Sequence, residues 1–436
     1  MKRSFYSAML VCLTFFSLFL LSPPLERDSF SDSTGAEPDH RAADAVSNLR
    51  LTFAGDIMAH NVNFEMDNYN LIYDDVRDLL LADDLTFGNL EVPVTDDLPM
   101  STYPRFNVHT PYVQAALDGG FDVFSLANNH SNDKGVKGIN GTLSVMKKLG
   151  KGAHPWRLLS SQAGQNPQQT FFTAYKKNAL YDLYNAEPVQ HPRLLTAYSG
   201  LKTKKEEDIY PVMIKKNGWK ILFLSVTEIL NVYDEAGRYV YRVSSIESAR
   251  QAFLEKITEM RRENPCDIFI LALHSEAPEY IRTVSSGTKD WFIRLASAGI
   301  DIVWAHHPHV MHPWETVEIP GPDGTEPKQA LFMYSMGNFI SGQRFRPARD
   351  DPGRYREYTG DAALLSVELS KNIPAETGSG KYSIISVDPV LITNYVDPAE
   401  GVVVKLFDNS FITGLQDVWQ NYYRTRMSLM KDYLPL

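Results

Sequence analysis

The chain has 436 residues, enough for one large domain or two, and its 44% hydrophobic and 22% charged content is that of an ordinary globular protein. A formal charge of −10 argues against nucleic acid as a partner, because phosphate backbones are bound by basic faces. Of the two cysteines, Cys12 falls in an N-terminal apolar run, so Cys266 has no partner for an intramolecular disulfide in the rest of the chain.

Lys2 and Arg3 precede an apolar stretch over about residues 5–21 that ends at Ser22-Pro23-Pro24, the order of an export signal. Its length fits either a cleaved signal peptide or an N-terminal membrane anchor, since a comfortable span needs about 20 residues. Residues 1–24 are read as that segment, and 25–47, with Ser, Asp, Pro and Gly prominent, as a flexible linker. The protein is therefore expected to be exported to the cell envelope, touching the membrane through its N-terminus if the segment is uncleaved.

From residue 51 the texture alternates between strand and helix. Strands are expected at 51–54, 85–87 and 122–126, with helical spacing at 74–81, 112–117 and 138–149. Residues 151–210 break the rhythm and read as an insertion near the site or as irregular surface loops. The alternation then resumes with strands at 212–214 and 220–225 flanking Asn217-Gly218, a strong hairpin signal. A long amphipathic helix at 245–262, a strand at 267–273, a helix at 289–298 and strands from 300 and at 331–334 follow. Residues 362–369 and 382–387 look like antiparallel strands. The alternation predicts an α/β fold with a mainly parallel or mixed sheet covered by helices.

The block Ile302-Val303-Trp304-Ala305-His306-His307-Pro308-His309 carries three of the eleven histidines within four positions, directly after an apolar β-branched run. A strand feeding such a turn delivers several imidazoles to one point of a sheet edge, and neutral imidazole is a common transition-metal ligand. Other strands also end in polar blocks: Gly55-Asp56, Asn89 with Glu91, Asn129-His130 with Asp133, and His274 with Glu276. Ligands of open α/β sheets bind beyond the carboxyl ends of the strands, so these blocks are expected to converge. Carboxylates, an amide oxygen and imidazoles together suit Mn, Fe or Zn.

The order of these blocks resembles the capsule-synthesis CapA family of poly-γ-glutamate capsule proteins, a branch of the calcineurin-like metallophosphoesterase superfamily. The resemblance spans about residues 50–342 and rests on TFAGDIM (52–58), GNLE (88–91), LANNHSNDKG (126–135), LALHSEAPEY (271–280), HHPHV (306–310) and YSMGNF (334–339). It implies a four-layer α-β-β-α sandwich of the metallo-dependent phosphatase type over residues 48–345, with C-terminal antiparallel strands and a helix in 346–436 completing the domain. It implies a divalent-metal site of two ions, built from Asp56, Glu91, Asn129, His274, His307 and His309. His130, with Asp133, would act on the transferred group. Arg105 and Arg344 are expected to bind an anionic envelope polymer or a phosphoester.

Three blocks depart from the family pattern. Asp56-Ile57-Met58 replaces Asp-x-His, His274-Ser275-Glu276 replaces His-Trp-Gly, and Ala305 stands where Gly precedes the double histidine. Two functions follow as expectations: a metal-dependent hydrolase in capsule biosynthesis or anchoring, or a non-enzymatic assembly or polymer-binding component that keeps the fold.

Overall fold

Strands that read as unbroken apolar runs are the ones covered on both faces, and they form the middle of two sheets. The computed structural model describes residues 45–150, 194–321, 326–373 and 382–435. The expected export segment, the linker up to residue 44 and residues 151–193 of the expected insertion lie outside the described residues.

In chain order the strands are β1 (Ala45–Ile57), β2 (Leu85–Leu90), β3 (Val123–Ser125), β4 (Ala197–Ser199), β5 (Val212–Lys216), β6 (Trp219–Thr227) and β7 (Ile268–His274). They continue as β8 (Ile302–His306), β9 (Trp314–Ile319), β10 (Lys328–Met333), β11 (Asn338–Ile340), β12 (Asp361–Ile373), β13 (Tyr382–Asp397) and β14 (Gly401–Leu406). One sheet runs β14-β13-β12-β1-β2-β3-β4, with β11 paired to β1; the other runs β5-β6-β7-β8-β10-β9. Both are mixed. β1, β2, β3 and β4 are parallel, as are β6, β7 and β8, whereas β12, β13 and β14 pair antiparallel.

The inner faces are locked by aromatics. Phe53 stacks on Phe87 at 4.9 Å between ring centroids, and Trp304 of the second sheet lies 5.7 Å from Phe53. The Trp304 Nε1–H donates to the Ala54 carbonyl at 2.9 Å, and Ser125 and Ser225 hydroxyls meet at 2.8 Å. Parallel strands need crossovers, here Thr110–Asp118 and Gly135–Leu149 for the first sheet, Glu247–Glu263 and Ser286–Ala298 for the second. With the inner faces turned to each other, these helices cover the outer ones. The result is the four-layer α-β-β-α sandwich that the resemblance implies.

Local chemistry accounts for most of the elements. β7 and β8 are buried at every position, while β9 alternates buried and exposed as an edge strand does. Asn217 and Gly218 both take positive φ, 49° and 80°, as a tight hairpin between β5 and β6 requires. Of the helical spacing at 74–81 only Arg77–Leu81 is helix, preceded by turn residues and the 3₁₀ turn Tyr69–Ile72.

Some elements lie beyond the sequence reading. β4 falls inside the segment read as an insertion, and β9 and β14 carried no assigned pattern. β13 runs to Asp397 through Pro389, a residue that ordinarily stops a central strand. It is tolerated because β14 covers only Ile392 to Asp397 of β13, so Pro389 faces a partner on one side alone.

β11 brings the C-terminal half of the chain onto β1. The Asp56 N–H donates to the Gly337 carbonyl at 2.9 Å, and Asp56 registers with Asn338. A Cβ at Gly55 would stand 1.9 Å from the Gly337 oxygen, so only glycine permits this approach.

Candidate functional site

The carboxyl ends of β1, β2, β7 and β8 meet at one edge of the sandwich, and their terminal residues are the polar ones. Asp56 ends β1, Asn89 and Glu91 lie at the end of β2, His274 ends β7 and His306 ends β8. His307 and His309 follow in the turn after β8 with φ of 102° and 57°, a left-handed backbone that non-glycine residues adopt at a cost of about 1–3 kcal/mol. That turn reverses the chain sharply enough to aim both imidazoles back at the sheet edge.

Asp56 is the hub. Its Oδ1 lies 2.9 Å from His306 Nδ1 and accepts from Asn89 Nδ2 at 2.8 Å; its Oδ2 lies 3.1 Å from His309 Nδ1. Asn338 Oδ1 stands 3.0 Å from the same His309 nitrogen. Glu91 Oε2 accepts from Asn89 at 3.1 Å, while its Oε1 faces His309 Nε2 at 3.6 Å and His274 Nε2 at 3.8 Å. One ligand atom each from Glu91, His307 and His309 lie within 4.8 Å of one another.

Burial sets the charge states. It would push the Asp56 carboxyl up, but the hydrogen bonds and charges of His306 and His309 outweigh it and hold Asp56 well below the carboxylate range. Glu91 moves the other way, raised well above its ordinary value by burial and then by the Asp56 charge. Burial, then the neighbouring imidazole, keeps His274 and His307 neutral, with His307 lowered to about 3. For His309 burial is overcome by the Glu91 and Asp56 carboxylates, and it rises to about 9.

The donor set fits a cation. Asn89 Oδ1, Glu91 Oε1, Asn129 Oδ1, both His274 nitrogens, His306 Nε2 and His307 Nδ1 are buried without a hydrogen-bond partner. Each such atom costs about 1–3 kcal/mol when nothing meets it. His274, being neutral, keeps a proton on one of its nitrogens; the others are lone-pair atoms of the type that hold Mn, Fe or Zn.

Next to this cluster lies His130. Its Nδ1 is 2.8 Å from Asp133 Oδ2, which also accepts the Phe106 N–H at 2.8 Å, and the Phe106 ring packs edge-on against the imidazole. A carboxylate only accepts, so it holds the proton on Nδ1 and leaves Nε2 for exchange. The Asn231 amide reaches the same ring at 3.3 Å. His130 and His309 line a cavity of about 250 Å³ together with Met58, His60, Tyr103, Glu279, Tyr280 and Arg356.

The structure thus brings Asp56, Glu91, Asn129, His130, Asp133, His274, His307 and His309 to one edge. It places the two expected arginines elsewhere. Arg344 is buried, with Nη1 2.6 Å from Asp361 Oδ1 and Nη2 bonded to the Gly360 and Asn394 carbonyls. Its charge is already neutralised inside the protein, so it does not stand at the site mouth. Arg105 is exposed in the loop after Tyr103 and is not among the residues lining the cavity. Glu276 is exposed too, and Glu279 is the carboxylate of that loop that lines the cavity.

Sequence reasoning passed over His306, although a signal for it exists. Trp304 points inward, and in a strand residue i+2 shares that face. His306 indeed packs on Trp304 at 4.2 Å and reaches Asp56. Asn338, in the YSMGNF block, bonds His309 because β11 joins β1, a pairing that local sequence does not display.

The family model described as bacterial capsule synthesis protein PGA_cap matches residues 50–153 and 194–343, more than half of the chain and every metal donor named above. The chain belongs to the PGA_cap family. Among the relatives of this PGA_cap protein is the PGA biosynthesis protein CapA of Bacillus subtilis (strain 168), 24% identical over 347 residues that cover 78% of this chain and 71% of that one. The capsule biosynthesis protein CapA of Bacillus anthracis is 24% identical over 313 residues, 69% of this chain and 62% of the relative. Among solved structures, the calcineurin-like phosphoesterase YfkN from Bacillus subtilis aligns at TM-score 0.38 and 12% identity, covering 87% of this chain and 99% of that chain. Among the described residues no helix is long and apolar enough to cross a membrane.

Proposed function

We propose that this PGA_cap protein is an exported capsule-biosynthesis component with a divalent-metal hydrolase site, acting on a phosphoester or on an amide or ester of an anionic envelope polymer of the poly-γ-glutamate type. The observation that carries the reading is the group of Glu91, His307 and His309, one ligand atom of each within 4.8 Å of the others, together with buried, unpartnered polar atoms of Asn89, Asn129, His274 and His306. Glu91, Asn129, His274, His307 and His309, with Asp56, would hold one or two ions of Mn, Fe or Zn. A cation there would polarise the carbonyl or phosphoryl oxygen under attack. His130, its tautomer fixed by Asp133, would move a proton at Nε2 to or from the reacting group.

Met58 favours a second reading. It lines the cavity at the position where the resemblance expects a histidine, and a thioether is a poor ligand for a hard cation. A site reduced in this way suits a non-enzymatic assembly or polymer-binding component.

Elemental analysis of the purified full chain, before and after adding back Mn, Fe or Zn, separates the two. Near-stoichiometric metal, followed by turnover of a phosphoester or a γ-linked glutamyl peptide, supports the hydrolase. Absence of metal under every condition leaves the assembly role. Export is tested separately, by fractionating cells that express the full chain with and without residues 1–24.

A further inference from the structure

The cavity beside the metal donors contains one cation whose role the reading above leaves open. Arg356 is exposed and lines the cavity with His130 and His309. Its guanidinium carbon stands 5.6 Å from the centre of the Tyr280 ring. Among the described residues no carboxylate lies within ion-pairing distance of it, in a chain with 53 acidic and 43 basic residues. A carboxylate, Glu279, lines the same cavity and makes no ion pair with Arg356.

The position of Arg356 is built rather than incidental. The Thr359 hydroxyl donates to the Arg356 carbonyl at 2.8 Å, and the Thr359 carbonyl accepts from Asn338 Nδ2 at 2.9 Å. Asn338 in turn holds His309. Tyr280, on which the guanidinium leans, donates its N–H to the Pro308 carbonyl at 2.8 Å and takes a φ of 64° to do so. One hydrogen-bonded chain thus ties the Arg356 backbone, and the other the Tyr280 backbone, to the turn that carries the metal donors. Tyr103 and Phe345, 69% and 40% exposed, also line the cavity and offer flat apolar walls to whatever enters.

We propose that Arg356 is the substrate-binding residue of this site and grips an oxyanion of the substrate, a carboxylate or a phosphate, beside His130 and the metal donors. The planar guanidinium matches either anion with two parallel hydrogen bonds, and the Tyr280 ring stands beside it. The proposal deepens the hydrolase reading and rests on it for the reaction, but the anion contact can be measured without turnover.

The test is calorimetric titration of the purified full chain, at fixed low ionic strength and fixed metal content, with a γ-linked glutamate dipeptide and with inorganic phosphate. Arg356→Ala should bind the preferred anion about 10-fold or more weakly, as expected for a lost charge-assisted bond. Its metal content and melting temperature should match the parent. Arg356→Lys should fall between, since it keeps the charge and loses the fork. The anion held more tightly by the parent identifies the source. Unchanged affinity of Arg356→Ala for both anions overturns the proposal, as does a parent that binds neither. Failure of the hydrolase reading would register separately, as absence of metal from the parent.

Discussion

Asp56 and His309 are 253 positions apart in the chain and 3.1 Å apart at Oδ2 and Nδ1. That contact joins the first strand of the first sheet to the turn after β8 of the second, so the site is a property of the whole sandwich.

The charge of Asp56 orients His306 and His309 through one hydrogen bond each. Asp56→Asn retains the shape and removes the charge, and His306→Ala removes an imidazole that local sequence reading passed over. Each is expected to lower metal affinity by about 10–100-fold, the usual effect of losing a group that holds or orients a ligand. Metal content of the purified variants, by elemental analysis after dialysis, checks both; parent-like occupancy in His306→Ala would remove it from the donor set.

His130→Ala should leave metal content intact and lower turnover by about 10²–10⁴-fold, the range of a general acid or base. Asp133→Asn should cost less, because it leaves the imidazole in place and loosens the tautomer set by the 2.8 Å contact. Steady-state rates on whichever substrate the parent turns over decide this. Full activity in His130→Ala would move the proton transfer to another residue.

Metal uptake should release protons. In the metal-free site His309, raised to about 9 by the Glu91 and Asp56 carboxylates, is protonated at neutral pH. Cations bind the deprotonated forms, so affinity should climb with pH up to about 9. Titration in two buffers of different ionisation enthalpy measures the protons; none released between pH 6 and 8 would place the donors elsewhere.

Asp361 ties together two buried cations, Arg344 and Arg426. Burial pushes its carboxyl up, but the two guanidinium groups outweigh this and hold it below its ordinary value. A lowered folded-state value means that the stabilisation is complete above about pH 4 and fades as the pH falls further. Asp361→Asn should therefore cost about 3–5 kcal/mol at neutral pH by leaving the arginines uncompensated. Urea unfolding at pH 7 and pH 3 tests it, with the gap between parent and variant narrowing at the lower pH.

Gly55→Ala would place a methyl group 1.9 Å from the Gly337 carbonyl. β11 must then shift from β1, at about 1–3 kcal/mol for such overpacking. Because Asn338 sits on β11, the same change should also weaken metal binding, a coupling visible by measuring melting temperature and metal content on one preparation.

Periodicity and residue type alone determined a good deal. β2, β6, β7 and β8, the crossover helices and the Asn217-Gly218 hairpin follow from local patterns, because strand and helix periods act over a few neighbours. The blocks holding Asp56, Glu91, Asn129, His130, His274, His307 and His309 were legible for the same reason: apolar strands end where polar residues begin. Tertiary structure decided the rest. Only the packing of the two sheets through Trp304 turns His306 onto Asp56, and only the β1–β11 pairing brings Asn338 to His309. Arg344 and Arg356 are alike in sequence, twelve positions apart by their numbers, and opposite in use. One is buried against Asp361 and the other opens onto the cavity, because a charge's role depends on which partners the fold supplies, and those come from distant parts of the chain.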